Sequence, residues 1–449
     1  MFNQTVFGIQ HLLRSERFKT LFRESWAMSW PLILVMLFEF LVSITDVWVA
    51  GKFGKEVQGA VGFVSQVYFV FAVLANAVTM GTVSVVSKFR GSGDTYGFAS
   101  AVRTVLISVF VSGIVLAAAG IFIAPRAIAA SHIPYEIRAV AVPFVEIYFT
   151  GLIFHYILIN SNGILRAAKR AKRSLVTMGL VAALNIALNL CFWRFTDLSF
   201  RGIALSTVIS FALGAALNLP PVLKMAAQGG AFSRAILIRI LSIGWPNLVL
   251  QISWQIGSVV MFLILGSLAE NRTETIAAFT NGLRIESAIF LPAYALNMSA
   301  AAVIGNLLGE GRHKDAYYSG FVTAAIGTAV IVVMSALVIV NARALSSFLS
   351  DNALVVDESV RYLVIQMAAE PFMAVLVILS GALNGAGDTR GVMMIVTGSL
   401  WLVRIPLSYI FAVKLGFGPA AVWIAMDVDI LFRLMLTVRR YRRRRWIHA

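Results

Sequence analysis

Cysteine is nearly absent. A single residue, Cys191, stands among 449, which excludes a disulfide within the chain and any multi-cysteine metal site. Charge is scarce as well, at 13% of residues against 59% hydrophobic, so the chain lacks the polar surface that a soluble domain needs. It has no GxxxxGK[ST] loop, and without one, ATP hydrolysis within this chain is not expected. No metal-ligand cluster and no nucleophile beside a base can be found. The expectation is therefore a protein that is not an enzyme and that carries no cofactor. The first 26 residues also lack a short apolar core followed by a small-residue cleavage site. They are read as a retained cytoplasmic segment, 1–26, with Phe18, Leu21 and Phe22 along the membrane surface.

What the chain has is apolar length. Mean hydropathy is +0.85, and windows of about 19 residues predict twelve spans. They run over 27–50, 61–87, 101–124, 141–165, 175–193, 203–223, 237–266, 276–307, 316–340, 359–383, 391–413 and 419–438. The longest gap, 341–358, reads as an outside loop with a short surface helix. Lys and Arg concentrate in the N-terminus, in alternate loops such as Arg166 to Arg173, and in the tail RRYRRRR. By the positive-inside rule both termini are cytoplasmic, in a multi-pass protein of the inner (plasma) membrane. The net charge of +16 then sets topology and meets anionic lipid, so no nucleic-acid partner is called for. The expected partners are the lipid bilayer and a small-molecule substrate, with no obligate protein partner evident.

The two halves repeat. Trp30-Pro31 recurs as Trp245-Pro246 and Gly51 as Gly266; Gly91-x-Gly93 recurs as Gly309-x-Gly311 and Leu165 as Leu383. A nearly constant offset across such a length marks an internal duplication. Each copy holds six spans, so the copies are parallel and related by a pseudo-two-fold axis along the membrane normal. The expected fold class is an all-α polytopic membrane protein of twelve helices. Its two six-helix lobes are 27–230 and 231–438, followed by a basic cytoplasmic tail, 439–449.

The first span carries two acids. A carboxylate at mid-membrane costs about 2.5–3.5 kcal/mol by insertion scales and marks a functional candidate. Glu39, Ser43 and Asp46 are spaced i, i+4, i+7 and so share one helix face, turned away from lipid.

Three stretches carry a family resemblance. SITDVWVAGKFGKEVQGAVGF, LRIESAIFLPAYALNMSAAAVIGNLLGEGR and ALNGAGDTR resemble the first-, eighth- and tenth-helix signatures of the multidrug and toxic compound extrusion (MATE) family. The resemblance runs from about residue 24 to residue 438. It implies a V-shaped pair of lobes that exports organic, often cationic, compounds in exchange for H⁺ or Na⁺ by alternating access. It also implies a coupling site at Asp46, Asn185, Asn189 and Thr207. Many family members have aspartate where this chain has Asn189, and losing that anionic ligand weakens a hard-cation site. Protonation of Asp46 is favoured accordingly, with Na⁺ at Asp46 as the only metal considered. Asn185 and Asn189 are i, i+4 and share a face; plain bonding across helices is the competing reading. Glu39 and Asn162 are secondary candidates in the first lobe, as are Gln255, Glu286 and Glu370 in the second. Trp254, Gln255 and Met373 stand where the NorM-like branch is expected to carry acids, which inclines the chain to the DinF-like branch. Arg404 is expected to pair with Asp427 or Asp429. The alternative function is a flippase of lipid-linked saccharides, which needs a cavity lined by several cations. Phe, Trp and Met in number would suit bulky amphipathic cations, though most are expected to pack or face lipid.

Overall fold

The computed structural model describes residues 16–130 and 134–448, and they are helical almost throughout. In chain order the helices are α1 Glu16–Lys52, α2 Lys55–Ser92, α3 Thr95–Ala130, α4 Tyr135–Thr150, α5 Leu152–Ala167, α6 Ala171–Phe195 and α7 Arg201–Ala226. Then follow α8 Arg234–Gly266, α9 Arg272–Gly309, α10 His313–Val340, α11 Ala342–Leu349, α12 Ala353–Ala386, α13 Thr389–Ser399, α14 Ile405–Ser408 and α15 Pro419–Arg442. Of the expected N-terminal segment, residues 1–15 lie outside the described residues. From Glu16 the chain runs straight into the first spanning helix, with Leu21 buried rather than laid on a surface.

Among the described residues, ten helices are long and apolar enough to cross a membrane, or eleven if the bent pair α4 and α5 is one span. The expected twelve are therefore not all found on that criterion. The helix left out is α15, where Asp427, Asp429 and Arg433 interrupt the apolar run. The pair α4 and α5 bends by 49° at Gly151, the residue the fourth expected span runs through unbroken. Glycine is a weak helix former, and a Cβ at Gly151 would press on the Val208 side chain of α7. The eleventh span is also irregular: α13 passes into π turns at Leu400–Arg404 and Tyr409–Lys414 on either side of α14. Pro406 lies between them and has no N–H for the ladder. The short helix α11 falls in the 341–358 gap, where a surface helix was expected.

Helix ends follow local chemistry. Gly93 closes α2 and Gly311 follows α9, both in the left-handed region at φ 73° and 72°, where a side chain is strained. These are the matching glycines of the Gly-x-Gly repeat. The Asp94 carboxylate accepts the Gly97 N–H at 2.7 Å at the start of α3, and Asn352 caps α12 through the Leu354 and Val355 N–H groups.

The chain forms two compact units. One is Pro31–Leu248; the other is Val249–Ala449 with the chain up to Trp30. The boundaries cut α1 beside Pro31 and α8 just after Pro246, the prolines that repeat. In the first unit α2 meets α8 backbone to backbone: a Cβ on Gly81 would overlap the Ile240 carbonyl, and one on Gly244 the Ala77 carbonyl. Around that contact a core of Val64, Phe144, Phe149, Leu152 and Tyr156 is buried. In the second unit Ser25 and Ser29 of α1 bond to Ser319, Thr323 and Ser299. There Gly381 and Gly385 let α12 lie directly on α9, a small-xxx-small contact suited to helices in lipid. Elsewhere broad apolar faces are left open, as at Phe110, Val111, Ile114 and Val115 of α3. Such faces suit a hydrocarbon surround.

Candidate functional site

Asp46 sits six residues before the end of α1 and is 9% exposed. Two helices supply its partners. The Asn189 side-chain amide of α6 donates to Asp46 Oδ1 at 2.7 Å, and the Thr207 hydroxyl of α7 lies 3.3 Å from Asp46 Oδ2. The same Asn189 amide lies 3.0 Å from Asn185 Oδ1, and Asn185 donates to Thr207 Oγ1 at 3.1 Å. All four residues are buried, so the spacing i, i+4 on α6 does put both amides on the face that meets α1 and α7. The group offers five oxygens in one place, of which Asn189 Oδ1 is buried without a hydrogen-bond partner. A cluster of one carboxylate with neutral oxygens suits either a proton on Asp46 or a hard monovalent cation. Among the described residues no group of three His, Cys, Asp or Glu side chains is placed to hold a metal ion.

Sequence reasoning missed the tyrosines behind this group. Tyr148 of α4 lies close to Thr207 and near enough to Asp46 to feel its charge. Tyr68 of α2 packs edge-on to Tyr148 at 4.6 Å, and its hydroxyl is 2.8 Å from His155 Nδ1. His155 stacks on Phe211 at 4.3 Å and is thus a satisfied packing residue. Single polar rings in apolar spans give no periodic signal, so nothing in the sequence pointed to this row.

The secondary candidates scatter. Glu39 shares the α1 face but belongs to no hydrogen-bonded group with Asp46; it is exposed, with Arg166 of α5 the cation that acts on it. Asn162 goes to a different cluster, accepting from Ser174 at 2.7 Å and from Asn218 at 2.9 Å. In the second unit Gln255 is exposed on α8. Glu286 accepts a short bond from the Tyr362 hydroxyl. Glu370 is buried, with Oε1 unpartnered, and Glu286, Asp427 and Arg404 are close enough to act on its charge. Arg284 is exposed on α9. Arg404 pairs with Asp429 rather than Asp427, at 2.8 Å, and Arg433 joins the same carboxylate at 2.6 Å. Both guanidinium groups lie over the Trp254 ring, at 5.1 and 5.6 Å from its centre.

Known proteins of this architecture now bear on the site. The MatE family profile matches residues 31–191 and 246–410, and the second match begins at Pro246 where the first begins at Pro31. A curated relative, "Probable multidrug resistance protein NorM" of Thermotoga maritima, is 22% identical over 97% of this chain and 96% of its own. Among solved structures, the outward-facing conformation of a multidrug resistance MATE family transporter of the MOP superfamily superposes with a TM-score of 0.86. It is 20% identical, over 96% of this chain and 97% of that one. The MATE transporter ClbM in complex with Rb⁺ also has a TM-score of 0.86, at 19% identity over 95% and 97% of the two chains. Membrane-spanning helices, the doubled profile and relatives named for multidrug resistance agree: the chain belongs to the MATE family of membrane transporters.

Proposed function

We propose that this protein is a secondary active antiporter that exports organic, often cationic, compounds by alternating access, with Asp46 as the coupling carboxylate and H⁺ as the ion it carries. The observation that carries the reading is the Asp46 group itself. A carboxylate buried at membrane depth is held by Asn189 and Thr207 from two other helices, so a change in its charge alters how α1 packs on α6 and α7. Adding a proton removes the charge that Asn189 and Thr207 donate to, which biases one packing over the other. Asn185, Asn189 and Thr207 are the positioning residues. With asparagine at 189 the group has one formal negative charge, which supports a proton more than Na⁺ and supports the DinF-like over the NorM-like branch. Glu39, Asn162, Gln255, Glu286 and Glu370 stand outside it.

The same reading takes α15 as the twelfth span. Its charges are neutralised inside the protein, Asp429 by Arg404 and Arg433, so they need not meet lipid. The halves are taken as two six-helix lobes related by a pseudo-two-fold axis, and the basic tail supports reading both termini as cytoplasmic in an inner-membrane protein. The saccharide-flippase alternative finds no support among the cations deep in the spans, since Arg404 and Arg433 are buried on Asp429.

The test is efflux of a cationic dye from liposomes holding the purified protein, under an imposed pH gradient or an imposed Na⁺ gradient. Efflux that follows the proton gradient is expected. Efflux that ignores both gradients would overturn the antiport reading, and efflux that follows Na⁺ alone would overturn the choice of ion.

A further inference from the structure

A cavity of about 290 Å³ opens in the first unit, lined by Arg170, Arg173, Pro220, Pro221, Lys224, Met225 and Gln228. Three of these are cations and none is an acid. Arg170 lies in the turn between α5 and α6, which reverses at Lys169 in the left-handed region, φ 61°, and Arg173 in the first turn of α6. Lys224 comes from the last turn of α7. All three side chains are exposed. Among the described residues none of them has a carboxylate partner, although elsewhere in the chain Arg312, Arg404, Arg433 and Arg440 each find one.

The helix ends that carry these cations are held together by buried bonds. Ser174, next to Arg173, and Asn218, two residues before Pro220, both bond to Asn162 of α5, and Thr177 donates to Asn218 at 2.8 Å. The ends of α5, α6 and α7 are thus tied together directly beneath the cavity. Like charges held at fixed spacing repel, and an anion between them relieves that repulsion. The volume is at the small end for a ligand pocket, so it suits a compact anion better than a bulky drug. Pro220, Pro221 and Met225 add apolar lining, and the α5–α6 turn joins the ends of apolar helices.

We infer that this cavity binds a phosphate-bearing anion between Arg170, Arg173 and Lys224, either the headgroup of an anionic phospholipid or a free phosphate. Bound there, the anion joins α6 to α7 at the ends opposite Asn189 and Thr207, so it steadies the two helices that hold Asp46.

The test uses the full-length protein in neutral detergent. Binding of phosphatidylglycerol and of phosphatidylcholine in mixed micelles is measured by native mass spectrometry, with and without added inorganic phosphate. The variants are Arg170→Gln with Arg173→Gln and Lys224→Gln, and, as a control of equal charge, Arg439→Gln with Arg443→Gln and Arg445→Gln. At roughly fivefold per cation near an anionic lipid, the first variant is expected to weaken phosphatidylglycerol binding on the order of a hundredfold and the control by less than about threefold. Competition by inorganic phosphate identifies the phosphate group as sufficient; retention of the lipid against it identifies the lipid as the ligand. Equal loss in both variants, or parent protein that binds neither probe more tightly than phosphatidylcholine, would overturn the assignment.

Discussion

Asp429 offers a sharp energetic test of how the second unit is held together. It is fully buried on α15 and accepts from the Ser399 hydroxyl while pairing with both Arg404 and Arg433. The two guanidinium groups are themselves almost completely buried, with side chains 6% and 2% exposed, and share the face of Trp254. Asp429→Asn preserves shape and removes the only carboxylate among the described residues that pairs with both. Two buried cations are then left facing one another without their counter-ion, and breaking a buried pair in this way costs about 3–5 kcal/mol. A partly exposed pair provides the scale. Arg440 meets Asp388 through two bonds of 2.6 Å, but its side chain is 39% exposed, so Asp388→Asn should cost about 1 kcal/mol or less. The assay is the thermal midpoint of purified protein followed by tryptophan fluorescence and by monodispersity. Asp429→Asn should lower it well beyond Asp388→Asn. Replacing the whole triad, Asp429→Leu with Arg404→Met and Arg433→Leu, should recover much of the loss, because the two guanidinium groups and their shared carboxylate are then removed together. A midpoint for Asp429→Asn equal to that of the parent or of Asp388→Asn would refute the reasoning.

Two further outcomes follow from geometry. Gly81→Leu places a side chain where the Ile240 carbonyl already lies, so α2 and α8 must separate; poor yield and a lowered midpoint are expected, and parent-like stability would show that the close contact does not form. Glu370→Gln should reduce transport less than Asp46→Asn at equal expression, because Glu370 lies outside the Asp46 group; equal loss would contradict the assignment of coupling to the first unit.

Asp46 stood out as a carboxylate in an apolar span, and the i, i+4 spacing puts Asn185 and Asn189 on one face, but grouping these two and Thr207 with Asp46 came from the family resemblance. Hydropathy windows predicted a span at 419–438, where the helix α15 lies, although that helix falls short of a stricter apolar criterion. In α15 the charges of Asp427, Asp429 and Arg433 take the helix below that criterion, although Asp429 pairs with Arg433 one turn on and with Arg404 of the eleventh span. The choice between Asp427 and Asp429 for Arg404 could not be read either, since two residues apart on a helix they point in different directions and only packing fixes the rotation. The bend at Gly151 was invisible for a similar reason: what demands glycine is Val208 on another helix, not a break in the local pattern. Asn162 was misplaced beside Asp46 because its real partners, Ser174 and Asn218, are ordinary polar residues with no spacing signal.

The central claim rests on one exchangeable proton. Asp46→Asn keeps the size of the side chain and an oxygen to accept from Asn189 or Thr207, but it cannot titrate. Reconstituted in liposomes beside the parent, with substrate binding measured on the same preparation, it should fold, bind the dye as the parent does, and lose efflux driven by a proton gradient. Proton-driven efflux at the parent rate from Asp46→Asn would contradict the account.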